Sequence, residues 1–241
     1  MNKKALALSI IAIIISFIGG FLLANALNRK ELDALRAENA QLKNASPQPA
    51  DLALADEEIR SKIEEADRNP TDFEFQKNLG IGLYQYAGMK QEAKFLPEVV
   101  RLLKRANEMK PQDYETIVAL GNVHLDLGQI NKDNAAIEQS REFYRKALSI
   151  KKDDADVQND LGLTYFFAAP PDAEKAIAEY EKALAMNPKH EKSLENLIRA
   201  HLSLGKIKEA EDFLNKLKQI DSKNKALPDL EAQLAQSGNR Q

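Results

Sequence analysis

The pair Leu79-Gly80 returns as Leu120-Gly121 and as Leu161-Gly162, 41 residues apart each time, and weakens to Leu197-Ile198 36 residues later. Downstream of each pair lies a second stretch of helical pattern carrying small residues, at Arg105-Ala106, Ala147-Leu148, Ala183-Leu184 and finally Leu217, and then a turn at Pro111, Lys152, Pro188 or Ser222. Helix, turn, helix and turn at a fixed period describe stacked helical hairpins, because one hairpin cannot bury its apolar face alone whereas stacked neighbours can. Glycine costs about 1 kcal/mol of helix propensity against alanine, so its return at Gly80, Gly121 and Gly162 implies helices that cross closely there.

The chain has 241 residues, 44% of them hydrophobic and 29% charged, and a formal net charge of −3. Basic runs such as Lys151-Lys152 sit beside acidic ones such as Asp153-Asp154, which is not the clustered positive charge that a nucleic-acid partner requires. There is no cysteine. Disulfides, thiolate catalysis, cysteine-based structural zinc sites and an acylated lipoprotein anchor are thereby excluded.

Ala5 to Leu27 is 23 residues without a charge, preceded by Met1-Asn2-Lys3-Lys4. At 1.5 Å per residue it reaches about 34 Å, against roughly 30 Å of hydrocarbon, so we read residues 1–27 as a transmembrane anchor. A cleaved secretory signal is the competing reading, since Ala24-Asn25-Ala26 has the small-x-small form of a cleavage site, but the run exceeds the usual apolar region of such signals. Lys3 and Lys4 favour an N-terminus inside and a body outside the cytoplasm, although Arg29, Lys30, Arg36 and Lys43 crowd the other flank. Ala12, Ser16, Gly20 and Ala24 form a ridge of small residues, and Leu32, Leu35, Asn39 and Leu42 form a short heptad seam within residues 28–44. Together they suggest a homodimer through residues 12–42. Residues 45–51, with Pro47 and Pro49, read as a linker.

The repeats resemble the tetratricopeptide repeat. Residues 155–190 carry Leu161, Gly162, Tyr165, Ala176, Tyr180, Ala183 and Pro188, with two extra residues around Ala169-Pro170-Pro171. Residues 191–224 fit a unit of 34 without insertion, with Leu194, Leu197, His201, Gly205, Ala210 and Leu214. The first two units, 73–113 and 114–154, each contain seven further residues, which we place between the paired helices. A leader helix at 52–67 and a cap helix at 229–236 complete a repeat domain over 52–236. The resemblance implies an all-α fold, a right-handed superhelical solenoid of helix-turn-helix repeats, here preceded by a single transmembrane helix.

No HExxH, Walker loop or nucleophile elbow occurs, and Gly80-Ile81-Gly82 lies inside a predicted helix. His124 and His201 hold the slot that Tyr165 and Leu83 hold in the other units, which makes them packing residues, and His190 ends a unit in a turn. No catalytic residue, metal or cofactor is expected. In proteins of this family the first helix of each pair lines a concave groove. The positions that face it here are Lys77, Asn78 and Tyr84 in the first unit, Asn122 and Asp126 in the second, Asn159, Asp160 and Phe166 in the third, and Asn196 and Arg199 in the fourth. Asparagine both donates to and accepts from an extended peptide. Members that clamp a chaperone's C-terminal carboxylate need a set of Lys, Asn and Arg that only Lys77 matches. Ile81, Ala119, Asp156 and Asp160 depart from it, and two acids in place of two bases repel a carboxylate.

The expected function is a non-catalytic scaffold or adaptor in a bacterial-type envelope, binding a protein or extended peptide in the groove. Its domain order is similar to that of periplasmic repeat subunits that present apocytochrome c for haem attachment, with cytochrome c maturation as the setting this suggests, and to envelope-assembly adaptors; this is likeness of outline, not of a site. The alternative is a cytoplasmic-facing recruitment module on an inverted anchor.

Overall fold

The computed structural model describes residues 49–238, in which every regular element is a helix. The anchor at 1–27, the heptad stretch at 28–44 and the proposed dimer contact therefore lie outside the described residues. The chain divides after Met109 into two compact units.

The first unit holds α1 (Pro49–Arg68), α2 (Phe73–Lys90), a 3-10 turn (Ala93–Phe95) and α3 (Leu96–Met109). Asp72 starts α2 by accepting from the Phe75 amide at 3.0 Å, which supplies one of the donors a helix N-terminus leaves open. Gln76, fully buried, closes the other end of α1 by donating to the Ala66 and Asn69 carbonyls at 2.6 and 3.0 Å. Asp67 on α1 binds both Arg101 and Arg105 of α3, and these guanidinium groups, Arg101 first, hold its carboxyl below the usual range. Leu79, Leu83, Val99, Leu102, Leu103 and Ala106 form the apolar centre.

The second unit holds α4 (Tyr114–Asn131), α5 (Asn134–Ile150), α6 (Ala155–Phe166), α7 (Ala173–Met186), α8 (Glu191–Ser203), α9 (Ile207–Ile220) and α10 (Leu227–Gly238). Asp113, Asp133, Asp154 and Asp172 cap α4 to α7 through their carboxylates. Asp72, Asp113 and Asp154 share the 41-residue period of the Leu-Gly pair, and where the period shortens, His190 begins α8 without a side-chain cap. Two apolar clusters fill the unit, one around Ile117, Tyr144 and Leu161 and one around Tyr180, Leu194, Leu197 and Leu214; Leu163 and Tyr165 pack against both. Gly205, at φ 70°, makes the left-handed turn between α8 and α9. Asn134 clasps the two-residue insertion of the third repeat, accepting from the Ala169 amide at 2.8 Å and donating to its carbonyl.

Several expected bounds differ. The leader helix begins at Pro49, so the last three residues of the expected linker are helical; proline fits a first helical position because its missing N–H has no partner there anyway. The cap helix is longer than 229–236 and takes in Leu227 and Pro228 for the same reason. The seven extra residues form no separate piece in the second repeat, and in the first only the short 3-10 turn Ala93–Phe95 stands between the paired helices. They lengthen α2 and α4 to 18 residues each, against 12 for α6 and 13 for α8, and α5 is lengthened to 17 against 14 for α7. No proline interrupts Leu125 to Asn131, and Gly128 within it is packed against Ile137, so the helix continues until Lys132, at φ 54°, ends it.

Tyr144 and Tyr180 occupy one register position on α5 and α7, and each ring lies against the glycine of its partner helix, Gly121 or Gly162. The Tyr144 hydroxyl donates to Asn122 Oδ1 at 2.8 Å. One repeat later the position matching Asn122 is Leu163, and the buried Tyr180 hydroxyl has no partner among the described residues. Tyr144→Phe should therefore cost about 1 kcal/mol, whereas Tyr180→Phe should be neutral or stabilising, because a buried hydroxyl without an acceptor contributes only its desolvation. Urea denaturation of the two variants checks this, and equal losses would contradict it.

Candidate functional site

The candidate groove residues fall into two sets, one on each unit. In the first unit, Lys77, Asn78 and Tyr84 all lie on α2 and are half-buried. The Lys77 ammonium is 3.7 Å from Glu74 and 5.1 Å from the centre of the Phe73 ring, so its charge is partly engaged within its own helix.

In the second unit α4, α6 and α8 are the first helices of successive pairs. Asn122 and Asp126 are half-buried on α4. Asn122 is positioned by Tyr144, and no described residue takes up its amide donors. Phe166, at the end of α6, packs against the larger apolar cluster and meets Phe167 edge-on at 5.4 Å. Arg199 on α8 pairs with Glu195 at 3.6 Å and Asp229 at 3.9 Å, which directs it toward α10.

Asn159 differs from its expected placement. It is 1% exposed and so cannot itself offer a surface to a peptide. Its carbonyl oxygen accepts from Ser193 Oγ at 3.1 Å and from the Asn196 amide at 2.9 Å, both on α8, and its own amide donates to Asp160 at 3.1 Å. Ser193 also contacts the His190 ring at 2.7 Å. The far nitrogen of that ring lies 3.4 Å from Asp156, which Lys192 binds at 2.9 Å. Thus Asn159 and Asn196 are brought together with two residues that sequence reasoning did not assign to the site, Ser193 and His190. Their signal was faint: a serine two residues into a helix and a histidine in the capping position have many other uses.

The charges of this network separate. Lys192 holds the Asp156 carboxyl below the usual range. Burial instead pushes Asp160 up, to about 6. An acid so placed destabilises the fold wherever it is ionised: the penalty is complete above about pH 6 and absent below the unfolded value near 4. The full displacement corresponds to about 3 kcal/mol; because Asp160 is only half-buried, we expect Asp160→Asn to stabilise by about 1–2 kcal/mol at pH 7.5. Paired melts at pH 7.5 and pH 4 check this. The gain should vanish at the lower pH, and a gain independent of pH would contradict the assignment.

The other histidines pack. His124 stacks on Phe143 and His201 on Phe213, at 5.6 and 5.4 Å and 18° in both cases. Burial pushes the His201 imidazole below its ordinary value. Tyr165 holds the same slot in the third repeat, and there Arg141 lies over its ring at 4.2 Å while Arg145 donates to its hydroxyl at 2.7 Å. Among the described residues no group of three or more histidines and carboxylates is arranged to hold a metal ion.

Residues 121–154 and 171–234 each match a family model of the tetratricopeptide repeat. Neither is an enzyme family. No curated protein matches the chain. Solved structures share the fold at low identity. MamA from residue 41 to its end, of Desulfovibrio magneticus RS-1, is similar at a TM-score of 0.58 and 16% identity, over 83% of this chain and 98% of that one. TTC0263, a thermophilic tetratricopeptide-repeat protein of Thermus thermophilus, gives 0.55 and 18%, over 77% and 91%. PilF of Pseudomonas aeruginosa gives 0.52 and 20%, over 72% and 69%. Repeats of this kind generally mediate protein–protein interactions.

Proposed function

We propose that this chain is a non-catalytic scaffold that binds a protein partner, as an extended segment, along the first-helix face of α4, α6 and α8. One observation carries the reading: the polar groups joining α6 to α8 are fixed by one another before any partner arrives, with Asn159 buried as the brace and Asn196 and Asp160 held from it. A wall organised in advance spends less ordering entropy on binding. Asn122, whose amide donors no described residue takes up, extends this wall onto α4.

The reading places the scaffold in a bacterial-type envelope, anchored by Ala5 to Leu27 with its repeats outside the cytoplasm. Support comes from the length of that uncharged run and the two lysines before it. Among the described residues no helix is long and apolar enough to cross a membrane, and the run itself lies outside them. The domain order remains the only support for a role in cytochrome c maturation.

Affinity capture from cells tests the binding face. Asn122→Arg should reduce recovery of the partner at least tenfold, at a stability cost of about 1–3 kcal/mol because the buried Tyr144 hydroxyl loses its acceptor; undiminished recovery from the folded variant would refute the face. Orientation is tested separately. Glu142 is exposed on α5, and the chain has no cysteine, so Glu142→Cys gives a single label site. Reaction with an impermeant maleimide in intact spheroplasts is expected, whereas labelling only after lysis would put the repeats in the cytoplasm on an inverted anchor.

A further inference from the structure

The α6 and α8 faces carry three acids and two bases in the groove register: Asp156 and Asp160 on α6, and Glu195, Lys192 and Arg199 on α8. Both bases are already engaged. Lys192 binds Asp156 at 2.9 Å, and Arg199 is shared between Glu195 and Asp229. Asp160 makes no ion pair among the described residues, Lys192 acting on it only at longer range, and its hydrogen-bond partner is the Asn159 amide. That amide cannot turn away, because Ser193 and Asn196 hold its oxygen from the other side.

A second observation meets the first at the same place. The Tyr180 ring runs under α6 against Gly162, and its hydroxyl ends in the field of Asp160 and Arg199, buried and without an acceptor among the described residues. Tyr144, its counterpart, is satisfied by Asn122. The third repeat therefore departs from the second by leaving both a half-buried carboxylate and a buried hydroxyl incompletely partnered. Leu163, one turn along α6 from Asp160, is partly buried and apolar, and Phe167 beyond it is 44% exposed. Such surface suits the methylene stem of a long basic side chain whose charged head seeks a carboxylate.

We propose that Asp160 is the anchor for a lysine or arginine side chain of the partner, so that the α6–α8 face selects extended peptides bearing a positive charge. This deepens the groove reading and rests on it. A cation supplies what Asp160 lacks, since a charged hydrogen bond in a partly desolvated site is stronger than a neutral one. An acidic peptide is repelled by the same carboxylate.

The test is affinity selection from a pool of synthetic random decapeptides, read by mass spectrometry, with the full chain in detergent as bait. The native protein should enrich peptides with a lysine or arginine at a fixed place. Asp160→Asn, which removes the charge and keeps the shape, should weaken those peptides roughly tenfold or more while still retaining neutral ones. Asp160→Lys should shift the selection to acidic peptides. Enrichment of neutral or acidic sequences by the native protein, or basic enrichment that survives Asp160→Asn, would overturn the anchor and leave the groove standing. Failure of the native protein to retain any peptide would remove the groove reading as well.

Discussion

Gly162→Leu is expected to lower the stability of the second unit by about 3 kcal/mol or more, and its melting temperature by roughly 10 °C. Even a single added carbon at this position would stand 2.5 Å from Cε1 of Tyr180 and 3.2 Å from the Ala176 carbonyl oxygen. The Tyr180 ring is fully buried and central to the larger cluster, so it has nowhere to move. Overpacking of this kind forces the two helices apart, and the strain it introduces comes on top of the packing that their separation disrupts. Gly162→Ala combined with Tyr180→Leu should recover much of what Gly162→Ala alone loses, because the second change removes the ring that the new carbon meets. A double-mutant cycle by chemical denaturation reads this coupling. An unshifted transition for Gly162→Leu would place the helix crossing elsewhere.

Asn159→Ala should cost about 2–3 kcal/mol, large for the loss of one polar side chain. It takes the acceptor from Ser193, an acceptor from Asn196 and the donor from Asp160 in one step, and Ser193 is fully buried where water cannot replace the missing partner. Ser193→Ala in the same background should then cost less than it does alone. Strictly additive losses would mean that the four groups do not act as a network.

The parts of this molecule that the sequence made plain are the ones that recur. Gly80, Gly121 and Gly162 were readable as crossing points because the same demand appears three times at one spacing, and each faces a large side chain: Leu103, Tyr144 or Tyr180. The added residues of the first two repeats could be counted but not placed, since a length difference does not say whether a turn grows or a helix continues. The lack of a proline from Leu125 to Asn131 was the available clue, and Gly128 inside that run pointed the other way. Position in the repeat put Asn122, Asn159, Asn196 and Arg199 on the first-helix face, but it could not distinguish a residue open to a partner from one turned inward. Asn159 is buried because Ser193 and Asn196, 34 and 37 residues away, happen to provide its donors, and nothing local to Asn159 announces this. The unsatisfied Tyr180 hydroxyl was hidden for the same reason: it follows from a leucine at position 163 where the preceding repeat has Asn122.

Site-specific photocrosslinking in intact cells tests the central claim most directly. A photoreactive residue at Asn122, on the proposed binding face of α4, is compared with one at Glu142, exposed on the second helix of the same repeat. The account predicts discrete protein adducts from position 122 and none of the same proteins from position 142. Equal adducts from both positions, or adducts from position 142 alone, would show that the partner is held by another surface and that the groove is not the binding site.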